Sequence, residues 1–378
     1  MVASNEVKNE SIEAIDKNLA VKTSIEAEGL CLYDVRKPPF RIYGLYNAEG
    51  EPEFKRLPDD VAAAVSNGVK GLALHTAGGR VRFSTDSPYI VIKAVMPKIT
   101  HFPHMPLTGS SGFDLYIDSD DGEESIYHRT FVPPYDMKDG YESRIDTYVS
   151  GVRSFTINFP LYNPVTALYI GIREGSYLGE GAPYRDNAPI VYYGSSITQG
   201  GCASRPGNSY QGMVTRALGI DHVNLGFSGS GLAEDTIVSY MAGLRMSAFV
   251  SDYDHNAPNV AHLKATHKKL YEAIRAAHPT IPYIMLTRPD FHYPRTKNGT
   301  DESILRRQII LDTYHSAREN GDRNVYFIDG ETLFRGFGED SCTVDSTHPN
   351  DLGFFRMAEA ITAVLTRIIR DGNLPKEG

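Results

Sequence analysis

One serine in the sequence, Ser196, lies in a setting that suits a nucleophile. It follows four apolar or aromatic residues at 190–193 and the dipeptide Gly194-Ser195. A short apolar run closed by glycine predicts a buried strand that enters a tight turn. Such a strand would bring Ser196 to the carboxyl edge of a sheet, where open α/β folds bind their ligands. The segment is not a Gly-x-Ser-x-Gly elbow, because Thr198 takes the place of the last glycine, and a loop serine can also be only a turn or cap residue.

A serine hydrolase also needs a general base and a group that orients this base. Asp345 and His348 lie three residues apart in a polar loop directly ahead of the last predicted helix. Within one turn of that loop, the carboxylate could hold one imidazole nitrogen while the other nitrogen faces a substrate. The alternative is a helix-capping loop whose histidine is exposed and has no catalytic role.

Two further loops carry candidate donors for the tetrahedral oxyanion that such a reaction must stabilise. Gly229 lies in a stretch rich in glycine and serine after a predicted strand, and its backbone N–H could approach a substrate closely. Asn256 follows the next predicted strand and offers its side-chain amide. A plain Gly-Ser loop and an Asx-turn are the alternatives for these two positions.

Strands and helices alternate after Pro189, and this alternation predicts the parallel sheet that would bring the loops together. Strands are expected at 190–193, 223–226, 247–253, 283–287 and 325–329, and helices near 210–218, 260–277 and 302–319. Apolar residues at three- and four-residue steps from Phe354 to Ile368 predict a last helix, with Asn350 or Asp351 as its N-cap. We therefore expect an α/β domain whose parallel sheet lies between two layers of helices.

The preceding part of the chain has an all-β pattern. β-Branched or alternating runs, such as 89–95 and 153–159, are interrupted by frequent glycine and proline, and no helical period is evident. Asp121-Gly122 marks a hairpin turn between two of these runs. We predict a polar segment at 1–21, a β-sandwich or jelly roll at 22–185 with a linker near 175–189, and the catalytic domain at 186–378.

The motifs occur in an order that resembles the SGNH (GDSL-type) hydrolases. The segment 194–200, Gly-Ser-Ser-Ile-Thr-Gln-Gly, is similar to their first block, Gly229 to the second, Asn256 to the third, and the segment 345–349, Asp-Ser-Thr-His-Pro, to the last. The resemblance implies a flavodoxin-like α/β/α fold, with Ser196, His348 and Asp345 as catalytic triad. It also implies an oxyanion hole made by Ser196, Gly229 and Asn256, and no metal or organic cofactor. Two positions depart from the family pattern: Ser195 replaces the usual aspartate, and the third block lacks Gly-x-Asn-Asp.

A second resemblance lies upstream. Gly112-Phe113-Asp114-Leu115-Tyr116 resembles the Gly-x-Asp-Leu-Tyr signature of a β-domain that precedes some bacterial SGNH domains. The whole chain is then similar to two-domain SGNH esterases, several of which are carbohydrate acetylesterases. This resemblance implies a serine esterase for short acyl groups, above all O-acetyl groups on carbohydrate, with an acetylated oligosaccharide or another small ester as substrate. His101 and His104, in the β-domain loop 100–105, are candidates for substrate contact.

Composition limits the partners and the compartment. With a formal net charge of −9 and a pI near 5.8, the chain is not expected to bind nucleic acid or anionic membranes. The polar N-terminus lacks the apolar core of a signal peptide and no stretch approaches a membrane span, which predicts a cytoplasmic location. Cys31, Cys202 and Cys342 are too few and too scattered to predict a disulfide framework or a zinc site. The oligomeric state stays open, with a homodimer as one option.

Three alternatives to a carbohydrate esterase remain at this stage. A thioesterase, lipase or acyltransferase would use the same triad. A metal-dependent phosphoesterase could use Asp345, His348 and Asp254 as ligands. A non-catalytic carbohydrate-binding protein would bind an oligosaccharide and leave an ester intact. Polar site loops without a long apolar lid favour short acyl groups, and the 23 tyrosines suit stacking on sugar rings.

Overall fold

A computed structural model describes residues 23–119, 124–289 and 297–376 of the chain. The predicted polar segment 1–21 and the predicted turn Asp121-Gly122 lie outside these residues. The two strands that flank this turn, at 113–118 and 125–131, do pair antiparallel. Within the described part of the chain, no helix has both the length and the apolar character needed to cross a membrane.

Fifteen strands form three sheets in the described part of the chain. They are β1 (Leu30–Asp34), β2 (Arg41–Tyr43), β3 (Arg80–Thr85), β4 (Tyr89–Val95), β5 (Phe113–Asp118), β6 (Ser125–Phe131), β7 (Gly140–Asp146), β8 (Arg153–Asn158), β9 (Ala167–Arg173), β10 (Leu178–Glu180), β11 (Ile190–Gly194), β12 (His222–Gly226), β13 (Ala248–Asp252), β14 (Tyr283–Leu286) and β15 (Val325–Ile328). The α-helices of the described residues are α1 (Asp59–Val65), α2 (Asn67–Leu72), α3 (Leu107–Ser110), α4 (Ser196–Gln199), α5 (Tyr210–Leu218), α6 (Asp235–Ala242), α7 (Val260–Ala277), α8 (Lys297–Glu319), α9 (Gly330–Leu333) and α10 (Asp351–Arg370).

The N-terminal part is a sandwich of two antiparallel sheets, as predicted. One sheet has the strand order β1-β9-β4-β7, and the other has the order β10-β3-β8-β5-β6 with β2 paired to β3. Ile90 and Ile170 of the first sheet share one buried core with Phe83, Phe113 and Phe155 of the second. The alternation of apolar and polar residues sends one face of each strand into this core. Strand β10 lies inside the segment that the sequence predicts to be a linker.

The expectation of an all-β N-terminal part is wrong at three short helices. Helix α3 has four residues, and the two longer helices are α1 and α2. They span seven and six residues, too few to show a helical period in the windows of about 11–18 residues in which such a period is recognised. Their apolar residues Ala62 and Val69 do not enter the sandwich core. They pack in a buried cluster with Val191 and Phe249 of the parallel sheet, so these helices are stabilised by contacts that are distant in sequence.

The C-terminal part is the predicted α/β/α domain. Its five strands are all parallel and have the order β12-β11-β13-β14-β15, the flavodoxin-like order 2-1-3-4-5. Successive residues of β11 face opposite layers: Tyr192 packs with residues of α5 and α10, and Val191 and Tyr193 pack with residues of α6, α7 and α8. Burial on both faces explains why β11 is apolar without interruption.

The sandwich and the α/β domain are joined by buried polar contacts close to helix α4. Asp114, the aspartate of the Gly-x-Asp-Leu-Tyr signature, is fully buried. One of its carboxylate oxygens accepts hydrogen bonds from Arg205 Nη1 at 3.0 Å and from the backbone N–H of Gly207 at 2.8 Å. The other accepts from Asn158 Nδ2 at 2.8 Å. Strand β5 therefore holds the segment that follows α4.

Candidate active site

Ser196 is the first residue of α4, directly after strand β11. The turn is tight, because a Cβ on Gly194 would lie 2.2 Å from the Asp252 carbonyl oxygen. Ser195 caps the helix, with its Oγ accepting from the backbone N–H of Ile197 at 3.1 Å. Gly200 ends the helix with a φ of 101°, a conformation that favours glycine. The four-residue helix thus presents Ser196 at the carboxyl edge of the sheet, as the sequence predicts.

His348 and Asp345 form a hydrogen-bonded chain with Ser196. Nε2 of His348 lies 2.9 Å from Oγ of Ser196, and Nδ1 lies 2.7 Å from Oδ2 of Asp345. The loop is closed by a hydrogen bond from the N–H of Val344 to the carbonyl oxygen of His348 at 3.0 Å, and Asn350 caps the following helix α10. The structure therefore brings the Asp345–His348 loop to Ser196, although His348 lies 152 positions after Ser196 in the sequence.

The second carboxylate oxygen of Asp345 also has partners. Oδ1 accepts from the backbone N–H groups of Thr347 at 3.1 Å and His348 at 2.8 Å. Partial burial raises the pKa of Asp345, but the hydrogen bonds from the His348 backbone and ring outweigh burial and leave this pKa below its usual value. Asp345 is thus an ionised carboxylate at neutral pH, fixed on both oxygens and aimed at Nδ1 of His348.

The two other candidate oxyanion donors follow the strands on either side of β11. Gly229, after β12, is exposed and has a φ of 68°. Its loop is held to α4 by a hydrogen bond from the N–H of Ser228 to Oε1 of Gln199 at 3.1 Å. Asn256, after β13, donates from Nδ2 to the carbonyl oxygen of Phe227 at 2.7 Å, which leaves its second amide hydrogen available. Both residues therefore lie at the edge of the sheet that carries Ser196.

The loop 100–105 of the sandwich reaches the triad through only one of its two histidines. The ring of His104 lies 5.4 Å from the ring of His348, measured between centroids. His101 instead packs against Tyr135, with a centroid distance of 5.3 Å, and both residues are exposed. Phe102 packs edge-on against Tyr162 at 5.2 Å. The contact between His104 and His348 supports the prediction that this loop forms part of the cleft. For His101 the ring contact is with Tyr135 instead.

Two residues near the triad were not singled out by the sequence. Tyr162 is buried and donates from its hydroxyl to the carbonyl oxygen of Ser196 at 3.1 Å. Cys202 is buried, has a φ of 76°, and offers a sulfur within 4.8 Å of ring nitrogens of His104 and His348. Burial, reinforced by the nearby Asp345 carboxylate, raises the pKa of the Cys202 thiol to about 12. The position of Cys202 just after α4 is a signal that could have identified it, whereas nothing in the sequence places Tyr162 here.

The ligand set considered for a metal-dependent phosphoesterase is not the one that the fold assembles. Among the described residues, the acidic, histidine and cysteine side chains close enough to share one ion are His104, Cys202 and His348. Asp254 is buried, and its Oδ2 accepts from the backbone N–H of Arg288 at 3.1 Å. This arrangement removes the reason for proposing Asp254 as a ligand beside Asp345 and His348.

The chain matches the models of two protein families in adjacent segments. Residues 187–366 match the GDSL-like lipase/acylhydrolase family. Residues 30–178 match the GxDLY domain, the N-terminus of SGNH-hydrolase-type esterases. No curated protein matches the chain.

Several solved structures share both domains. A GDSL-like lipase from Bacteroides ovatus ATCC 8483 is 26% identical, covering 92% of this chain and 100% of that chain, with a TM-score of 0.81. A salicylyl-acyltransferase from a tetracycline biosynthetic pathway is 19% identical, covering 93% and 100%, with a TM-score of 0.73. A family two carbohydrate esterase from Clostridium thermocellum, in complex with cellohexaose, is 14% identical, covering 87% and 99%, with a TM-score of 0.58. The last two likenesses concern the fold alone.

Proposed function

This chain belongs to the SGNH (GDSL-type) hydrolase superfamily, in the two-domain form with an N-terminal GxDLY-type domain, and is an esterase; we propose that it removes short acyl groups, above all acetyl, from carbohydrate. The observation that carries the proposal is the hydrogen-bonded chain from Ser196 through His348 to Asp345. A nucleophile, a base and an orienting carboxylate in this order are the groups that acyl transfer through a covalent intermediate requires.

The proposed reaction is a double displacement. Nε2 of His348 takes the hydroxyl proton of Ser196 as Oγ attacks the ester carbonyl carbon, and the imidazolium then gives this proton to the leaving alcohol. Asp345 holds Nδ1 protonated and stabilises the imidazolium. Water attacks the acyl-enzyme with His348 again as base, which releases the carboxylic acid and restores Ser196. Each proton that His348 accepts is returned within the same half-reaction.

We assign the oxyanion to three donors. The backbone N–H of Ser196 belongs to the first turn of α4, where helix N–H groups have no acceptor within the helix. The backbone N–H of Gly229 and the second amide hydrogen of Asn256 complete the proposed hole. Removing one such donor lowers kcat by about 10²–10³-fold in well-studied hydrolases. The sequence departure in the third block does not weaken the assignment, because Asn256 already has its amide oriented by Phe227.

Crowding near Ser196 supports a short acyl group. Tyr162 is buried against the Ser196 carbonyl oxygen, and Phe102 packs edge-on against Tyr162. His104 lies between Phe102 and the ring of His348, with centroid distances of 6.5 Å and 5.4 Å. These rings fill space that a long acyl chain would need. An acetyl group has one methyl group to accommodate and fits this setting best.

The exposed pair of His101 and Tyr135 supports a carbohydrate as the leaving group. Tyr135 is 81% exposed, although it packs against His101, and His101 belongs to the same loop as His104, whose ring contacts that of His348. An exposed aromatic face of this kind suits stacking on a sugar ring. Carbohydrate esterases share the fold, including one in complex with cellohexaose.

A substrate panel tests the proposal. We expect rapid release of acetate from acetylated oligosaccharides and from an aryl acetate, and slow turnover of aryl esters with long acyl chains. Thioesters, triglycerides and a competing alcohol acceptor probe the thioesterase, lipase and acyltransferase alternatives. Faster reaction with any of these than with acetylated sugars would overturn the assignment. Binding of oligosaccharide without any ester cleavage would show a non-catalytic carbohydrate-binding protein.

The nucleophile is tested in the same assay. Ser196→Ala should lower kcat for the aryl acetate by several orders of magnitude, since triad members act as a unit. Cys202→Ala is the matched control, because Cys202 carries the other nucleophilic atom beside His348 among the described residues. This control should keep near wild-type kcat. The reverse pattern would identify a thiol esterase.

A further inference from the structure

Three side chains with soft or intermediate ligand atoms converge beside the nucleophile. One ligand atom each of His104, Cys202 and His348 lies within 4.8 Å of the other two. They come from different parts of the chain: a sandwich loop, the turn after α4 and the loop before α10. Cys202 is a free cysteine. Taken alone, the cysteines are too scattered for a zinc site; the fold of the α/β domain brings His348 to Cys202, and docking of the sandwich adds the imidazole of His104.

We propose that His104, Cys202 and His348 form a binding site for a soft or borderline divalent metal ion, with Zn²⁺ as the main candidate, and that occupation of this site switches the enzyme off. Binding of the metal does not depend on the function proposed above, whereas the loss of activity does. The site is distinct from the phosphoesterase hypothesis, because the metal here blocks the reaction instead of supporting it.

The ligand set determines which metals the site would accept. Two imidazole nitrogens and a thiolate are ligands that suit Zn²⁺, and four-coordinate zinc sites with three protein ligands keep one position open. Mg²⁺ and Ca²⁺ prefer oxygen ligands in larger numbers. In a tetrahedral zinc site the ligand atoms are roughly 3.5 Å apart, so spacings within 4.8 Å have to shrink by at most about 1.3 Å. His104 is exposed and can make this movement by a change of rotamer, while Cys202 is held in the core.

Coordination would compete directly with catalysis. Nδ1 of His348 is bound to Asp345 at 2.7 Å, which leaves Nε2 as the nitrogen for the metal. The same Nε2 lies 2.9 Å from Ser196 Oγ and has to accept its proton in the proposed reaction. A metal bound to this lone pair removes the general base. Asp345 would at the same time act as the outer partner that orients a metal-bound histidine, a common arrangement in zinc sites.

Metal binding at this site requires the Cys202 thiol to lose its proton. Because a cysteine binds zinc as the thiolate, a metal that binds Cys202 displaces the thiol proton to solvent. We therefore expect binding that is reversible by a chelator, and a protein that is active when metal-free.

Metal binding is tested first without reference to activity. Co²⁺ is added to the metal-free protein, and the near-ultraviolet absorption is followed for a thiolate-to-cobalt charge-transfer band. We expect the band in wild type and in Ser196→Ala, and its loss in Cys202→Ser, which keeps the shape of the side chain. Cys342→Ser is the matched control, since Cys342 is also buried but is not one of the three ligands. Absence of the band from wild type would overturn the proposal whether or not the chain is an esterase.

Inhibition is tested with the same variants in the aryl acetate assay. Zn²⁺ should inhibit wild type and Cys342→Ser, EDTA should restore both, and Mg²⁺ at equal concentration should have no effect. Half-inhibition of Cys202→Ser should need at least about tenfold more Zn²⁺, because loss of a partner in a metal site commonly costs 10–100-fold in affinity. Equal sensitivity of Cys202→Ser and wild type would show that the thiol is not a ligand and would refute the site.

Discussion

Replacement of Asp345 by asparagine tests the proposed triad sharply, because the surroundings of this side chain dictate how an amide would sit in its place. Oδ1 accepts from the backbone N–H groups of Thr347 and His348, and Oδ2 accepts from Nδ1 of His348. The two backbone donors require an acceptor, so the amide oxygen would take the Oδ1 position. The amide NH₂ group would then face Nδ1 of His348.

This orientation of the amide predicts how much activity Asp345→Asn should lose. An NH₂ group opposite Nδ1 favours the tautomer of His348 that carries its proton on Nε2. Nε2 lies 2.9 Å from Ser196 Oγ, and once protonated it cannot accept the hydroxyl proton. The same tautomer change lowers kcat by about 10⁴-fold in serine proteases, or about 5.5 kcal/mol of transition-state stabilisation. We expect a loss of this order for Asp345→Asn, with equal effects on kcat and kcat/KM.

The assay is steady-state hydrolysis of an aryl acetate near neutral pH, with thermal unfolding as a check on folding. Asp340→Asn is the matched control, because it removes an exposed carboxylate from the same loop without touching His348. Both variants should unfold at temperatures close to that of wild type. A kcat for Asp345→Asn similar to that of Asp340→Asn would refute the tautomer argument and move the orienting role elsewhere.

The other predictions concern the oxyanion loops, a buried carboxylate and the sandwich. Asn256→Ala should lower kcat by about 10²–10³-fold, less than Asp345→Asn, as measured with the same ester; no change would mean that another donor serves. Arg56→Met should lower both the thermal stability and kcat, with kcat falling by up to about 10²-fold. The reason is that the buried guanidinium donates to the carbonyl oxygens of Asn224 at 3.0 Å and Gly226 at 2.6 Å. A loss of stability alone would show a purely structural role. Burial, together with the charge of Asp254, raises the pKa of Asp252 to about 7. The protonated side chain therefore favours the folded state at low pH. This contribution to the free energy of unfolding, up to about 4 kcal/mol, is lost as pH rises from about 4 to about 7. Asp252→Asn should therefore gain stability relative to wild type as pH rises from about 4 to about 7 in denaturant titrations, and a constant difference would refute this cause. A chain that starts near Arg185 should be poorly soluble, and where it folds it should lose more activity on acetylated oligosaccharide than on an aryl acetate; equal losses would make the sandwich only a support.

Sequence patterns identified those parts of the fold that local residues decide. Helices α5 and α7 have the predicted bounds, and Asn350 caps α10 as expected. Ser196 and the Asp345–His348 loop could be found because each motif lies at the end of a predicted element. The parallel sheet then requires that the ends of its strands meet at one edge.

Contacts between distant segments could not be predicted in the same way. Helices α1 and α2 owe their stability to packing on the parallel sheet, and their own sequences are too short to show it. The same reason hides Tyr162 and Cys202, whose importance depends on how the sandwich docks. His101 and His104 look equivalent in the sequence, yet only the ring of His104 packs against that of His348. The two histidines differ because they lie at different positions along the loop 100–105, and tertiary contacts determine the path of this loop.

The sandwich is part of the site's construction and not an appended module. Asp114 holds the segment that follows α4, Arg56 binds the end of β12, and Tyr162 donates to the Ser196 carbonyl oxygen. All three side chains are buried, so each contact is made in an environment where an unpaired polar group costs about 1–3 kcal/mol. The turn that carries Ser196 and the loop that carries Gly229 therefore take their positions from the sandwich as well as from the sheet.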